Sequence, residues 1–224
     1  MFLSKITLKR GPELFKLLKQ KNASDGYVSH QILWNLFPND GHKKRDFIFH
    51  KDEKEGLPQF LLVSEAEPVE TDGVTVISKP YNPKLVKGEK LVFTLVANPV
   101  VSRKVESKKN SVKHDVWMDA KKKAIENGAD VPSIIQACEN ASKLWLIRQG
   151  ERCGFFLKET DILIDGYIQN RFYKGRKAMP IQYSSIHYEG LLTVTDTDLF
   201  TKMLYSGIGR SKAFGCGLML VRRI

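Results

Sequence analysis

The sequence predicts an α+β fold in which a strand–helix–strand–strand–helix–strand (βαββαβ) unit occurs twice in tandem. Three observations carry that expectation. Residues 1–80 order their apolar patterns as strand, helix, strand, strand, connection, strand. The later residues repeat the order with longer elements. Between them lies a stretch with the composition of a linker, marked by Pro80, Asn82, Pro83 and Gly88. No primary-sequence repeat accompanies this duplication, which rests on element order alone.

The first unit opens with FLSKITLK at 2–9, which alternates as a half-buried strand does. GPELFKLLKQK reads as a short amphipathic turn or helix whose start is marked by Gly11 and Pro12. NASDG has loop chemistry, and Ser24 or Asp25 can cap a helix from about Tyr27 to Phe37. Its apolar stripe is Leu33, Leu36 and Phe37, and Pro38-Asn39-Asp40-Gly41 ends it. DFIFHKD and PQFLLVSE flank EKEG as a hairpin, and GVTVIS follows as a further strand. The second helix of this unit is weak or missing. The division that follows is residues 1–88 and residues 89–224.

In the second unit KLVFTLVANPV is a strand, and the lysine-rich segment after it reads as an exposed loop. SIIQACENASKLWLIRQ at 133–149 is a helix with Ile134, Ile135, Cys138, Leu144, Trp145 and Leu146 as apolar positions. GFFLKETDILIDGYIQ and YSSIHYEGLLTVTD are long β-rich stretches around a basic segment. Asp196 or Asp198 caps a helix through Tyr205, and a glycine-rich loop leads into the strand LMLVRR.

Hydrophobic residues at 42% exclude a mostly disordered chain. LVFTLVANPVV, among the longest apolar runs, falls short of the roughly 18 residues that span a bilayer. MFLSKITLKR places its charges after the apolar residues, the reverse of a secretory signal, so the expected location is the cytoplasm. Cys138, Cys153 and Cys216 form no CxxC pair and read as reduced thiols.

The net charge of +11 points to a polyanionic partner, and its distribution is uneven. Residues 52–72 carry a net −6 and residues 102–123 a net +5. Residues 166–188 hold Arg171, Lys174, Arg176 and Lys177 with no acid, and 207–224 hold Arg210, Lys212, Arg222 and Arg223 with none. One basic face and one acidic edge follow. Tyr167, Phe172, Tyr173 and Tyr183 interleave the basic stretch and can stack on bases, or equally pack against neighbouring strands.

GIGRSKAFGCGLMLV places Gly207, Gly209, Gly215 and Gly217 before an apolar strand, with Arg210 and Lys212 inside the loop. Such glycines permit positive φ and close approach of backbone amides to a phosphate. The competing reading is a tight helix–strand connection that needs glycine for packing. Neither a P-loop nor a dinucleotide fingerprint is present.

Among the five histidines His30 stands out, near the start of the first helix with Tyr27 at i−3, on the same helical face. A helix N-terminus disfavours the imidazolium and helps keep such a base neutral. The alternative is an ordinary helix histidine satisfied by a neighbour. His42 falls in a turn, His114 in the charged segment, and His50 and His187 on strands. Asp196-x-Asp198 can bind Mg²⁺ or cap a helix, and capping fits its position better. No pattern points to a resident metal or cofactor, and Ser29 beside His30 does not make a triad.

YVSHQILWNLFPNDGHKKRDFIFH and GIGRSKAFGCGLMLV resemble the CasE family, the CRISPR repeat-processing endoribonuclease of the E-type Cascade complex. The likeness runs over essentially the whole chain. It implies two tandem ferredoxin-like (βαββαβ) domains, RNA-recognition-motif-like, with a basic β-hairpin and a C-terminal glycine-rich loop. It implies as partners the CRISPR repeat hairpin, as pre-crRNA and crRNA, and other Cascade subunits, with no membrane. It also implies metal-independent cleavage at the 3′ base of the hairpin by the substrate's own 2′-hydroxyl. The products are a 2′,3′-cyclic phosphate and a 5′-hydroxyl, and the guide RNA stays bound. On this resemblance His30 moves the proton, as base or acid, and Tyr27 orients the reacting group. Arg171, Lys174, Arg176 and Lys177 form the hairpin that meets the RNA stem, and Gly207, Gly209, Arg210, Lys212, Gly215 and Gly217 form the RNA-binding loop. A scaffold of the same fold, binding RNA without cutting it, is the alternative.

Overall fold

The computed structural model describes residues 1–12, 25–37, 46–54, 56–104, 111–172 and 179–224 of the 224-residue chain. Alternation at the start of the sequence becomes β1 (Phe2–Leu8), which buries Ile6 and Leu8 on one face. After it come α1 (Asp25–Trp34), β2 (Phe47–Lys54), β3 (Leu57–Ser64) and β4 (Val74–Pro80). They form an antiparallel sheet in the order β2-β3-β1-β4. In the central strand Ile6 lies opposite Phe60 on one side and Val76 on the other. Ile32, Leu33 and Leu36 seat α1 on this sheet, against Phe47, Phe49, Phe60 and Leu62.

The strand order is that of a βαββαβ unit, and the expected gap is real: no helix joins β3 to β4. Val69 instead donates its N–H to the carbonyl of Leu36 at 2.7 Å, tying the connection to the end of α1. The amphipathic segment expected after Gly11 and Pro12 lies mostly outside the described residues.

The second unit departs from expectation in one place. Its first strand is β5 (Lys90–Ala97), after which Pro99 interrupts the run and β6 (Val100–Arg103) begins. The segment read as an exposed loop contains β7 (Val112–Asp115), paired with β6, and α2 (Val116–Glu126). Lysines hid this helix. Only Val116 and Ala124 are buried on it, so it has almost no apolar stripe to read. Asp115 caps it, its carboxylate accepting from the N–H of Met118 at 2.8 Å.

The remaining elements follow the plan. They are α3 (Val131–Cys153), β8 (Phe155–Phe156), β9 (Ile162–Phe172), β10 (Ile181–Val194), α4 (Thr197–Ser206) and β11 (Met219–Arg223). β11, β5 and β10 lie side by side, and β8 and β9 share the far edge of β10. The order is again that of a βαββαβ unit, with β6, β7 and α2 inserted. Phe93, Leu95, Trp145, Leu146, Tyr188, Phe200 and Leu204 pack its core. Asp130 caps α3 and Gly154 ends it in the left-handed conformation.

A third, smaller core joins the units: Ile48 and Val63 of the first sheet meet Leu218, with Leu3, Tyr81, Tyr205 and Leu220 around them. The Tyr205 hydroxyl donates to the Tyr81 carbonyl at 3.1 Å. The three cysteines are free thiols. Among the described residues no helix is long and apolar enough to cross a membrane.

Candidate functional site

His30 occupies the second turn of α1, and Tyr27 lies three residues earlier on the same helix. The side chain of Tyr27 lies outside the described residues. The His30 ring stacks on Trp34, one turn later, with centroids 5.7 Å apart and planes 17° from parallel. Phe47 of β2 closes a second side at 6.3 Å. His30 is half-buried, so two aromatic rings fix its plane while part of its edge meets solvent.

The glycine loop runs from the end of α4 to β11, and each of its four glycines has a reason inside the fold. All four have φ between +72° and +95°. A Cβ on Gly217 would stand 2.5 Å from the Ile208 carbonyl oxygen, and one on Gly207 2.9 Å from that of Gly217. Gly209 lies against Asn98 and Trp145, and Gly215 against the ring of Phe49. The packing reading of these glycines is thus sufficient by itself. Ile208 N–H donates to the Gly217 carbonyl at 2.9 Å, and Gly217 N–H to Val96 at 2.7 Å, closing the loop onto β5.

The two cations of the loop differ. Lys212 donates to the carbonyl of Ser206 at 2.8 Å, satisfying the C-terminus of α4. Arg210 is exposed, and a backbone bridge joins it to Asn98. Ser211 between them is the only non-glycine residue among those described with positive φ, at 57°.

A short 3-10 turn at Lys212–Phe214 places the loop against both α1 and β2. Phe214 stacks on Tyr183 of β10, centroids 5.2 Å apart. Tyr183 sits two residues into the returning arm of the β9–β10 hairpin, and Arg171 pairs with Gln182 beside it. Three regions distant in sequence therefore meet: the helix of His30, the glycine loop and the stem of the basic hairpin. Lys174, Arg176 and Lys177 lie outside the described residues.

The stem has a support that sequence reading missed. Asp115, besides capping α2, accepts through its other oxygen from the hydroxyls of Ser184 and, at 3.4 Å, Tyr167. Trp117 stacks on Tyr167 at 5.1 Å. Neither the cap at Asp115 nor its reach to a strand so far along the chain was read from the sequence, where this segment looked like a charged loop. Asp196 is also a cap, accepting from the N–H groups of Asp198 and Leu199, as its position implied. His50 of the first unit feels both Asp52 and, from the second unit, His187. Burial chiefly, and the neighbouring His187 in addition, hold the His50 pKa below its ordinary value against the pull of Asp52.

The chain matches, over residues 1–223, the family described as CRISPR associated protein. It is 31% identical to the CRISPR system Cascade subunit CasE of Escherichia coli, with 98% of each chain covered. It is 30% identical to the CRISPR-associated endoribonuclease Cse3 of Thermus thermophilus, over 99% of each. A solved structure of endoribonuclease Cse3 bound to 19 nt RNA superposes with a TM-score of 0.70 at 23% identity. That match covers 99% of this chain and all of the other, and it bears out the tandem ferredoxin-like, RNA-recognition-motif-like architecture. By its full-length match and its two relatives, the chain belongs to the CRISPR-associated family that includes CasE and Cse3.

Proposed function

We propose that this chain is a CRISPR-specific endoribonuclease and Cascade subunit that recognises the repeat hairpin of pre-crRNA and cleaves it without a metal ion. Residues 1–88 carry the acid–base histidine, and residues 89–224 carry the basic hairpin and glycine-rich loop. The enzyme works in the cytoplasm. The carrying observation is the meeting of α1, the 3-10 turn and the foot of the hairpin around one face.

Cleavage at the 3′ base of the stem begins when the substrate's 2′-oxygen forms a bond to the adjacent phosphorus. The 2′-proton leaves to a base, and the bond from phosphorus to the 5′-oxygen breaks as that oxygen takes a proton. The products are a 2′,3′-cyclic phosphate and a 5′-hydroxyl. His30 is the proton-transfer group, as base on the 2′-hydroxyl or acid on the leaving oxygen, and its stack on Trp34 with the tilted Phe47 ring beside it holds its ring plane. Tyr27 orients the reacting hydroxyl or phosphate. Arg210 and Lys212 lend positive charge where the phosphorane gains negative charge. Arg171 with Lys174, Arg176 and Lys177 follows the stem's phosphates, because A-form RNA presents shape more readily than base edges. The glycine loop holds the strand below the stem, and the guide RNA stays bound after cleavage.

The test is single-turnover cleavage of the host's own labelled repeat hairpin in excess EDTA, with binding measured in parallel. His30→Ala is expected to bind normally and lose about 10²–10⁴-fold in rate. Equal cutting by both proteins would remove His30 from the chemistry. Tight binding without cutting by either would favour the scaffold, and loss of wild-type cutting in EDTA alone would restore a metal-dependent route.

A further inference from the structure

The insertion in the second unit builds a groove that the βαββαβ plan does not require. β6 and α2 form one wall and the last three turns of α3 the other, enclosing about 900 Å³. Val100, Val101, Val116, Ala120, Leu144 and Trp145 give it an apolar lining. Its charges are arranged with one sign in excess. Arg103 grips Asp119 with both guanidinium nitrogens, each at 2.7 Å, and Lys123 reaches the same carboxylate at 3.1 Å, so that acid is neutralised within the wall. Arg148 and Arg152 remain, one helical turn apart and exposed on α3, and among the described residues no ion pair engages either. On the floor, Trp145 is 5% exposed and its indole N–H is buried without an acceptor.

An apolar lining beneath two uncommitted guanidinium groups is complementary to a peptide that carries carboxylates beside apolar side chains. Single-stranded RNA fits it less well. Stacking needs an open aromatic face, and the one aromatic ring here is buried; Asp119 and Glu151 also stand among the lining residues.

We propose that this groove docks an acidic, partly apolar segment of a neighbouring Cascade subunit, with Arg148 and Arg152 reading its carboxylates. The proposal rests on the reading of the chain as a Cascade subunit. It separates two surfaces, RNA held on the face of α1 and the glycine loop, and protein held between the insertion and α3.

The test compares wild type with Arg148→Glu/Arg152→Glu and, separately, Leu144→Asp. Retention in a complex reconstituted with the host's remaining Cascade subunits and crRNA is measured on a sizing column. Hairpin affinity, hairpin cleavage and melting temperature are followed alongside. The expected result is at least a tenfold loss of retention for both variants, with hairpin affinity and cleavage within twofold of wild type and melting unchanged. Retention equal to wild type overturns the docking site. A fall in RNA affinity as large as the fall in retention overturns it in favour of an RNA track. Wild-type protein that joins the complex yet never cuts the hairpin would refute the ribonuclease reading and leave the docking comparison intact.

Discussion

At the scale of single residues, the two histidine environments contrast. His30 was readable as a candidate because Tyr27 precedes it at i−3 in the sequence, and the ring it stacks on in the fold, Trp34, follows at i+4 on the same helix. His50 was not, because His187 reaches it from a different sheet and only the folded chain makes them neighbours. His187 in turn stands 3.9 Å from Asp165 and 3.6 Å from Glu189. An unfolded His50 titrates near 6.5 and the folded one lower. Below pH 6.5 the unfolded chain therefore binds more protons than the folded chain, and stability falls as acidity increases. Above pH 6.5 that penalty is absent. Denaturant midpoints measured from pH 8 to pH 5 are expected to fall, and His50→Gln is expected to flatten the part of the decline below 6.5. An identical profile in the variant would assign the decline to other groups.

At the scale of elements, what could be read followed from how much apolar surface each element buries. Strands β1, β5 and β10 alternate cleanly, and α3 shows its stripe, so their positions were legible. The insertion was not, since a helix that buries two residues and exposes its lysines resembles a solvated loop. Yet that insertion holds up the hairpin. Asp115 ties the start of α2 to Ser184 and Tyr167 on the two strands of the stem. Asp115→Ala removes the cap and leaves the two hydroxyls without their acceptor. It is expected to cost about 1–2 kcal/mol and to speed amide exchange in β9 and in the Ile181–Ile186 arm of β10. Asp115→Asn, which keeps an oxygen acceptor for the cap, is expected to recover part of the loss. Unaltered exchange in the Ala variant would show that the stem stands without this contact.

At the scale of the whole molecule, βαββαβ order foretold each sheet, but nothing in the pattern foretold how the two units meet. That contact is made by Ile48 and Val63 of the first sheet on one side, and by Leu218, just before β11, with Leu220 on it, on the other. The same join sets the glycine loop, which carries Arg210 and Lys212, against α1. Arg210, exposed on that loop, is expected to contribute one counterion's release. Arg210→Ala should weaken hairpin binding and make the log–log salt slope shallower by about 0.7–0.9; an unchanged slope would take it off the RNA surface. The join also has a consequence in time. His30 is made well before residues 207–217, which back its helix. At about 5–20 residues per second the interval is roughly 10–35 s. Until residues 207–217 are made the chain carries its histidine without the wall that backs its helix, so on the proposed function cleavage by a nascent chain is expected to wait for that interval.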